Sequence, residues 1–314
     1  MAPILKVHDL VKKYGDLTAV KEISFEIHEG EVFSLLGPNG AGKTTTISIL
    51  STLFPPTSGD AIVCGHSVVN HPMAVKRSIG IVPQEIALYD DLSALENLKF
   101  WGQMYGLSGK ALSARIEEVL AQVDLQERAK ERIKTYSGGM KRRINIAVGL
   151  LHKPRLLFMD EPTVGIDPQS RRAILEAVKE LNRSGMSILY TTHYMEEAQE
   201  LSDRVGIIDY GELIAMGTQE ELTAQVGETD TLILHLGENE DPAYLAESLR
   251  SMDCVIQANP TDHQVAVITS SAEKTLAPVV SHTNKLGIHI YSVDMHEPNL
   301  EAVFLHLTGR ALRD

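Results

Sequence analysis

Val32-Phe33-Ser34-Leu35-Leu36-Gly37-Pro38-Asn39-Gly40-Ala41-Gly42-Lys43-Thr44 decides how this chain is read. The first five residues form a short, largely apolar run, suited to a strand buried on both faces of a sheet. Gly37 to Thr44 then fits G-x-x-x-x-G-K-[ST] in full, with a helix expected from about Lys43. Glycines let backbone N–H groups close on phosphate oxygens, and the helix N-terminus adds partial positive charge. Lys43 brings a full charge to the outer phosphates, and the Thr44 hydroxyl suits Mg²⁺. A chance glycine-rich turn would lack the strand before it and the helix after it. The stretch predicts an Mg-ATP site built from Gly37, Pro38, Asn39, Gly40, Ala41, Gly42, Lys43, Thr44 and Thr45.

A second apolar strand, Leu156-Leu157-Phe158-Met159, runs into Asp160 and Glu161. Ligands of parallel sheets bind at the carboxyl ends of strands, so these carboxylates belong beside the phosphate loop. Asp160 is expected to hold the metal, and Glu161 to polarise an attacking water. Away from such a loop, the pair would be an ordinary exposed acidic turn. Further along, Tyr136-Ser137-Gly138-Gly139-Met140 precedes a helix carrying Lys141, Arg142 and Arg143. Serine and glycines at a helix start make a second anion site, although alone they read as a plain helix cap.

Strands and helices alternate through most of the chain, as in an α/β fold with a mostly parallel sheet. Strands are expected at Ile4 to Leu10, Ile23 to Ile27, Ser187 to Thr191 and Val205 to Asp209, and a helix over Pro168 to Arg183. Residues from about 91 to 135 read as a helical insertion. Leu95, Leu98 and Trp101 would line one helix face there, and Ile116, Val119, Leu120 and Val123 another. The mixed-charge run Glu127 to Arg132 reads as a solvated helix face.

After Val226 the pattern changes to β-α-β-β-α-β, the order of a ferredoxin-like unit. Its strands are expected at Thr231 to Leu236, Cys254 to Gln257, Gln264 to Ile268 and Ile288 to Val293. Ser270-Ser271-Ala272-Glu273 offers a capping box, and Pro298 opens a last helix. The boundary is placed near Gly227-Glu228, giving a nucleotide-binding domain over 1–226 and an α+β accessory domain over 227–314.

Composition limits the function. The net charge is −13, which argues against a general nucleic-acid binder. Cys64 and Cys254 make no metal-binding or redox spacing, and read as buried reduced thiols. No apolar run approaches the ~18–20 residues of a membrane helix. The start lacks a basic segment followed by a long apolar stretch, so no secretory signal is expected.

Taken in order, the phosphate loop, Gln84 after a strand, Ser-Gly-Gly, apolar-Asp-Glu, Asp167 and His193 resemble the ATP-binding-cassette (ABC) ATPases over about Ile4 to Thr223. Tyr136 and Met140 depart from the family's LSGGQ signature at its outer positions, so altered packing is expected there. The resemblance implies a P-loop NTPase with a helical subdomain. It implies that Tyr14 stacks on adenine and that Gln84 ligates Mg²⁺ and senses a transmembrane partner. Ser137, Gly138 and Gly139 would reach ATP held by a second copy of the chain. Asp167 would couple the two sites, and His193 would contact the γ-phosphate. The working form would be a head-to-tail dimer with ATP between its halves.

Thr163 to Pro168, Tyr136 to Met140 and His296 to Phe304 are similar to the drug-resistance and ABC-2-type exporter ATPases. In the last helix Leu300, Val303, Phe304 and Leu307 would pack on the sheet. The reading is therefore the ATP-hydrolysing subunit of an ABC-2-type exporter. It would sit peripherally on the cytoplasmic face of the membrane, beneath a separate permease that passes a drug, lipid or antibiotic. A soluble ATPase that remodels an intracellular complex and an importer ATPase stay open as alternatives. A non-hydrolysing nucleotide module is disfavoured by Lys43, Asp160, Glu161 and His193.

Overall fold

Each central strand carries apolar side chains on both faces because both faces are covered. The structure, a computed structural model, describes residues 3–226, 230–237, 240–296 and 299–308. Contacts divide the chain into two compact units, Met1–Met216 and Gly217–Asp314.

The first unit opens with β1 (Pro3–Tyr14), β2 (Leu17–His28) and β3 (Val32–Leu36), then α1 (Lys43–Leu50). Next come β4 (Ser58–Val63), β5 (His66–Ser67), α2 (Pro72–Ser78) and β6 (Ile79–Val82). The helical insertion holds α3 (Ala94–Met104) and α4 (Gly109–Gln122), and α5 (Gly138–Leu150) follows it. The unit continues through β7 (Leu156–Asp160), α6 (Pro168–Arg183), β8 (Ser187–Thr192), α7 (Met195–Leu201), β9 (Arg204–Asp209) and β10 (Glu212–Gly217). A six-stranded sheet runs β10-β9-β3-β8-β7-β6, with β9, β3, β8, β7 and β6 paired in parallel. A second, antiparallel sheet runs β2-β1-β4-β5.

Two cores sandwich the six-stranded sheet. Leu156, Phe158 and Leu189 pack with α1 and the antiparallel sheet, through Ile47, Val7 and Phe25. Their neighbours Leu157, Met159, Ile188 and Tyr190 point the other way, among the residues of α4, α5 and α6. Strand side chains alternate between faces, so this burial demands the continuous apolar runs seen in the sequence.

The insertion differs from expectation at Glu127 to Arg132, which forms turns rather than a helix. Its backbone is engaged elsewhere: Ala129 and Glu131 carbonyls accept from Leu95 and Ala94 N–H at the start of α3. That start carries a capping box between Ser93 and Glu96.

The second unit holds α8 (Gln219–Val226), β11 (Asp230–Leu236), α9 (Pro242–Leu249), β12 (Gln257–Thr261) and β13 (Gln264–Thr269). α10 (Ala272–Lys285), β14 (Ile290–His296) and α11 (Leu300–Thr308) complete it. The sheet order β12-β13-β11-β14, with antiparallel pairs, is that of the expected ferredoxin-like unit. The division falls at Met216, ahead of the boundary expected at 226, because α8 packs with α11. The expected linker Gly227-Glu228 and the helix start at Pro298 lie outside the described residues.

Two details of this unit differ from expectation. Cys254 to Ile256 lies outside the strand, which begins at Gln257. Ser270 makes no capping box, because Asp230 accepts from Ala272 N–H at the helix start instead. On α11, Leu305, which the sequence did not single out, packs on Ala266 and Ile268 of the sheet. Leu300, Val303 and Phe304 are buried, and Leu307 is half-buried.

Candidate active site

The carboxyl ends of β3, β7 and β8 bring the catalytic candidates into one buried cluster. Gly37 cannot carry a side chain: a Cβ there would sit 2.1 Å from the Ile208 carbonyl oxygen. Gly42 has φ 107°, and a Cβ would meet the Ala19 carbonyl oxygen of β2 at 2.6 Å. Both glycines are thus required by close approach and, at Gly42, by a left-handed backbone.

Lys43, at the first turn of α1, is 3% exposed. Its ammonium donates to the carbonyls of Gly37 (2.6 Å) and Pro38 (2.9 Å), and pairs with Glu161 Oε1 at 2.9 Å. Thr44 Oγ1 donates to Asp160 Oδ1 at 3.2 Å, and Thr191 Oγ1 donates to the same oxygen at 2.7 Å. Burial pushes the Asp160 carboxyl above its ordinary value, and these hydroxyls oppose the shift.

Glu161 has φ 42°, a left-handed conformation uncommon outside glycine. Its N–H is held by both the hydroxyl (3.0 Å) and the carbonyl (3.1 Å) of Thr191. Such a conformation persists only when its surroundings over-determine it, and here it directs the carboxylate back toward Lys43. His193 Nδ1 lies 3.3 Å from Glu161 Oε2 at an angle that forms no hydrogen bond. The buried imidazole nitrogen is left without a partner, unlike most buried polar groups.

Gln84 shares a cavity of about 570 Å³ with Thr44 and Asp160. Tyr14 ends β1, is 46% exposed, and has the Lys12 ammonium 5.1 Å from its ring centre. Its neighbour strand β2 approaches the loop at Ala19, but no hydrogen bond, ion pair or ring contact joins Tyr14 to Lys43 or Thr44 among the described residues.

Ser137 caps α5, accepting from Met140 N–H at 3.2 Å. Ser137 and Gly138 are exposed, and no hydrogen bond or ion pair links them to the phosphate loop among the described residues. Gly139 is buried against the start of α6, where a Cβ would lie 2.2 Å from Ser170 Cβ. Tyr136, where the family signature has leucine, is buried, and its hydroxyl donates to the Arg128 carbonyl at 2.6 Å. Asp167 caps α6 through Ser170 N–H (2.9 Å), which holds its carboxyl below the ordinary value.

Two supporting residues carried no signal of their own in the sequence. Arg142 on α5 donates to the carbonyls of Pro83 (2.6 Å) and Gln84 (2.5 Å). Asn145 bonds Glu85 and Ala87 backbone groups of the same loop, each at 3.4 Å. The helix that begins at Ser137 therefore fixes the loop that carries Gln84.

The profile of the ABC transporter family matches residues 20–164. The chain is 50% identical over 313 residues to the linearmycin resistance ATP-binding protein LnrL of Bacillus subtilis, covering 99% of this chain and all of that one. It is 38% identical over 317 residues to the doxorubicin resistance ATP-binding protein DrrA of Mycobacterium tuberculosis (96% and 92% covered). It is 37% identical over 322 residues to the Nod factor export ATP-binding protein I of Ralstonia nicotianae (99% and 96% covered). Among solved structures, the ATP-binding subunit of an ABC transporter superposes with a TM-score of 0.64 at 31% identity (71% and 93% covered). A dimeric cassette holding ADP and phosphate, MJ0796, gives 0.62 at 28% identity (68% and 98% covered).

The chain belongs to the ABC transporter family, as one of its ATP-binding subunits. Within that family it is an ATP-hydrolysing subunit of the exporter kind, and the importer and remodelling readings fall away. No described helix is long and apolar enough to cross a membrane.

Proposed function

We propose that this chain is the motor of an ABC-2-type exporter, working as a head-to-tail pair of copies on the cytoplasmic face of a membrane, under a separate permease. The observation that carries it is the split between a buried cluster of Lys43, Asp160, Glu161 and His193 and an exposed Ser137. One chain holds every candidate reacting group, while the second phosphate-binding element faces outward, where a partner's ATP would meet it.

The geometry of the buried cluster and the family resemblance support these roles. Lys43 would exchange its carbonyl and carboxylate partners for phosphate oxygens, releasing Glu161 to orient the attacking water. His193, with an unpartnered ring nitrogen, would hold the terminal phosphate. Tyr14 would stack on the base, and Asp167 would face the opposite copy. Thr44, Asp160 and Gln84 are all-oxygen donors with a single carboxylate, a set that suits Mg²⁺ completed by substrate phosphates. When bound, the metal would neutralise phosphate charge.

The Gln84 cavity is walled by Ile47, Leu53, Ile81 and Tyr105, and Phe54 and Met104 are exposed. An apolar surface beside the nucleotide site fits a cytoplasmic segment of the permease. The relatives named for linearmycin and doxorubicin resistance and for Nod factor export support an amphiphilic cargo. Affinity purification of the tagged chain from detergent-solubilised membranes tests this reading. A polytopic membrane protein is expected in stoichiometric amount. Recovery of the chain with soluble partners alone overturns it.

A further inference from the structure

Behind the reacting cluster, Glu197 of α7 is 2% exposed, yet it carries a carboxylate. Such a group is costly to bury unless every oxygen is engaged. Glu197 Oε1 accepts from Thr163 Oγ1 at 2.6 Å and lies 3.7 Å from Arg171 Nε. Glu197 Oε2 accepts from Thr192 Oγ1 at 2.8 Å and from the Tyr190 hydroxyl at 2.9 Å. Thr163, Thr192 and Tyr190 are themselves almost completely buried. The carboxylate is thus the hub of a closed hydrogen-bond network, in which each member restrains the others.

The partners explain what the hub holds. Thr163 lies two residues after Glu161, on the segment leading to Asp167. Thr192 immediately precedes His193. Its hydroxyl also accepts from Tyr194 N–H at 2.9 Å, so both neighbours of His193 are fixed through one oxygen. Its carbonyl accepts from Gly37 N–H of the phosphate loop at 3.3 Å. Arg171 of α6 stacks 4.3 Å over the Tyr194 ring, which in turn lies 4.1 Å from the His193 ring. The His193 side chain itself has no hydrogen bond at Nδ1, so its placement depends on these backbone and ring neighbours.

We infer that Glu197 is a positioning residue for hydrolysis: it fixes His193 relative to Glu161 by joining the Thr192 and Thr163 hydroxyls, and it touches neither nucleotide nor water. The inference rests on the reading of His193 as a contact to the terminal phosphate. Small displacements of a positioned group slow catalysis steeply without abolishing ground-state binding.

The test is a double-mutant cycle on steady-state ATPase activity of the full chain, using Glu197→Gln, His193→Ala and the combination. Glu197→Gln is expected to lower kcat by about 10- to 100-fold with KM changed less than about twofold. In the His193→Ala background the same substitution should cost less than about twofold more, because the residue it positions is already gone. Losses that multiply in the double variant overturn the inference while leaving the His193 assignment intact. Wild-type turnover by His193→Ala overturns both. Should Glu197→Gln fail to fold, Thr192→Val cuts a single bond of the network and enters the same cycle. A kcat loss that merely follows the folded fraction, read by circular dichroism, also overturns the proposal.

Discussion

The phosphate loop and the Ser137 element are both helix N-termini built to meet anions, but they are made in opposite ways. At the loop, a left-handed Gly42 opens α1, and Lys43 is buried among the carbonyls that follow β3 and the Glu161 carboxylate that follows β7. At α5, the cap Ser137 is exposed, and the support lies behind it, in Tyr136, Gly139, Arg142 and Asn145. The first region owns charged groups that can move protons or neutralise phosphate. The second offers a hydroxyl and N–H groups, with Lys141 tied to Asp90 and Arg142 to the Pro83 carbonyl. Under the proposed reading it would grip a nucleotide presented by a second copy and leave the activation of water to the buried cluster there. Catalysis and assembly would then be separated within one chain.

The largest expected effect tests the catalytic side. Glu161→Gln keeps the size and most contacts of the side chain but removes the carboxylate that would act on water. Turnover should fall by about 10²–10⁴-fold, while binding of a fluorescent ATP analogue persists. Normal turnover would remove Glu161 from its assigned role and break the comparison at its buried end. Next is Lys43→Ala, which deletes the buried cation. Each charge-assisted bond is worth roughly 1.5–3 kcal/mol, so nucleotide affinity should weaken about 10- to 100-fold in equilibrium titration. Unchanged affinity would show that the loop backbone alone carries binding.

The exposed end is tested in the slowed Glu161→Gln chain. There ATP should drive dimer formation, seen by size-exclusion chromatography with light scattering. Adding Ser137→Arg should abolish that dimer while nucleotide binding by the monomer changes less than about twofold, since no hydrogen bond or ion pair joins Ser137 to the loop of its own chain among the described residues. Loss of monomer binding instead would mean that both regions serve one nucleotide within one chain.

The buried end was legible in sequence because its geometry is local. A strand, a fixed glycine spacing and a lysine at a helix start lie within Val32 to Thr44, and Asp160-Glu161 follows directly from its own strand. Arg142 and Asn145 were not legible as supports. Their partners at Pro83 to Ala87 lie far away in sequence, and no periodicity marks an arginine that will turn inward. Glu197 was hidden for the same reason, among the acidic residues of a short helix. Local signals also misled where a tertiary bond competed. Ser270 to Glu273 has the capping pattern, but Asp230 from a neighbouring strand satisfies that helix start. Glu127 to Arg132 has helical composition, but its carbonyls serve the start of α3.

The smallest expected effect concerns the far end of the helix that Ser137 opens. His152, just beyond α5, donates from Nε2 to the Ile79 carbonyl at 2.7 Å, and its ring stacks on Tyr105 with centres 4.1 Å apart. Ile79 begins β6, the strand that leads to Gln84, so this contact anchors the second side of the same loop. Nδ1 is buried without a partner, and burial lowers the His152 pKa below its ordinary value. A base with a depressed folded pKa takes up its proton more readily when unfolded. Stability is therefore level above the ordinary histidine range near ~6.5 and is lost as pH falls through it toward the depressed folded value. His152→Gln can still donate an N–H to Ile79 but does not titrate. Its melting temperature should drop less than that of the wild type between about pH 7.5 and 5.5, by roughly 2–4 °C for each ~1 kcal/mol of proton linkage. Identical pH profiles would show that His152 takes up its proton equally in the folded and unfolded states over this range. The His152 contact to Ile79 would then hold the Gln84 loop equally well at every pH in this range, beside Arg142 and Asn145.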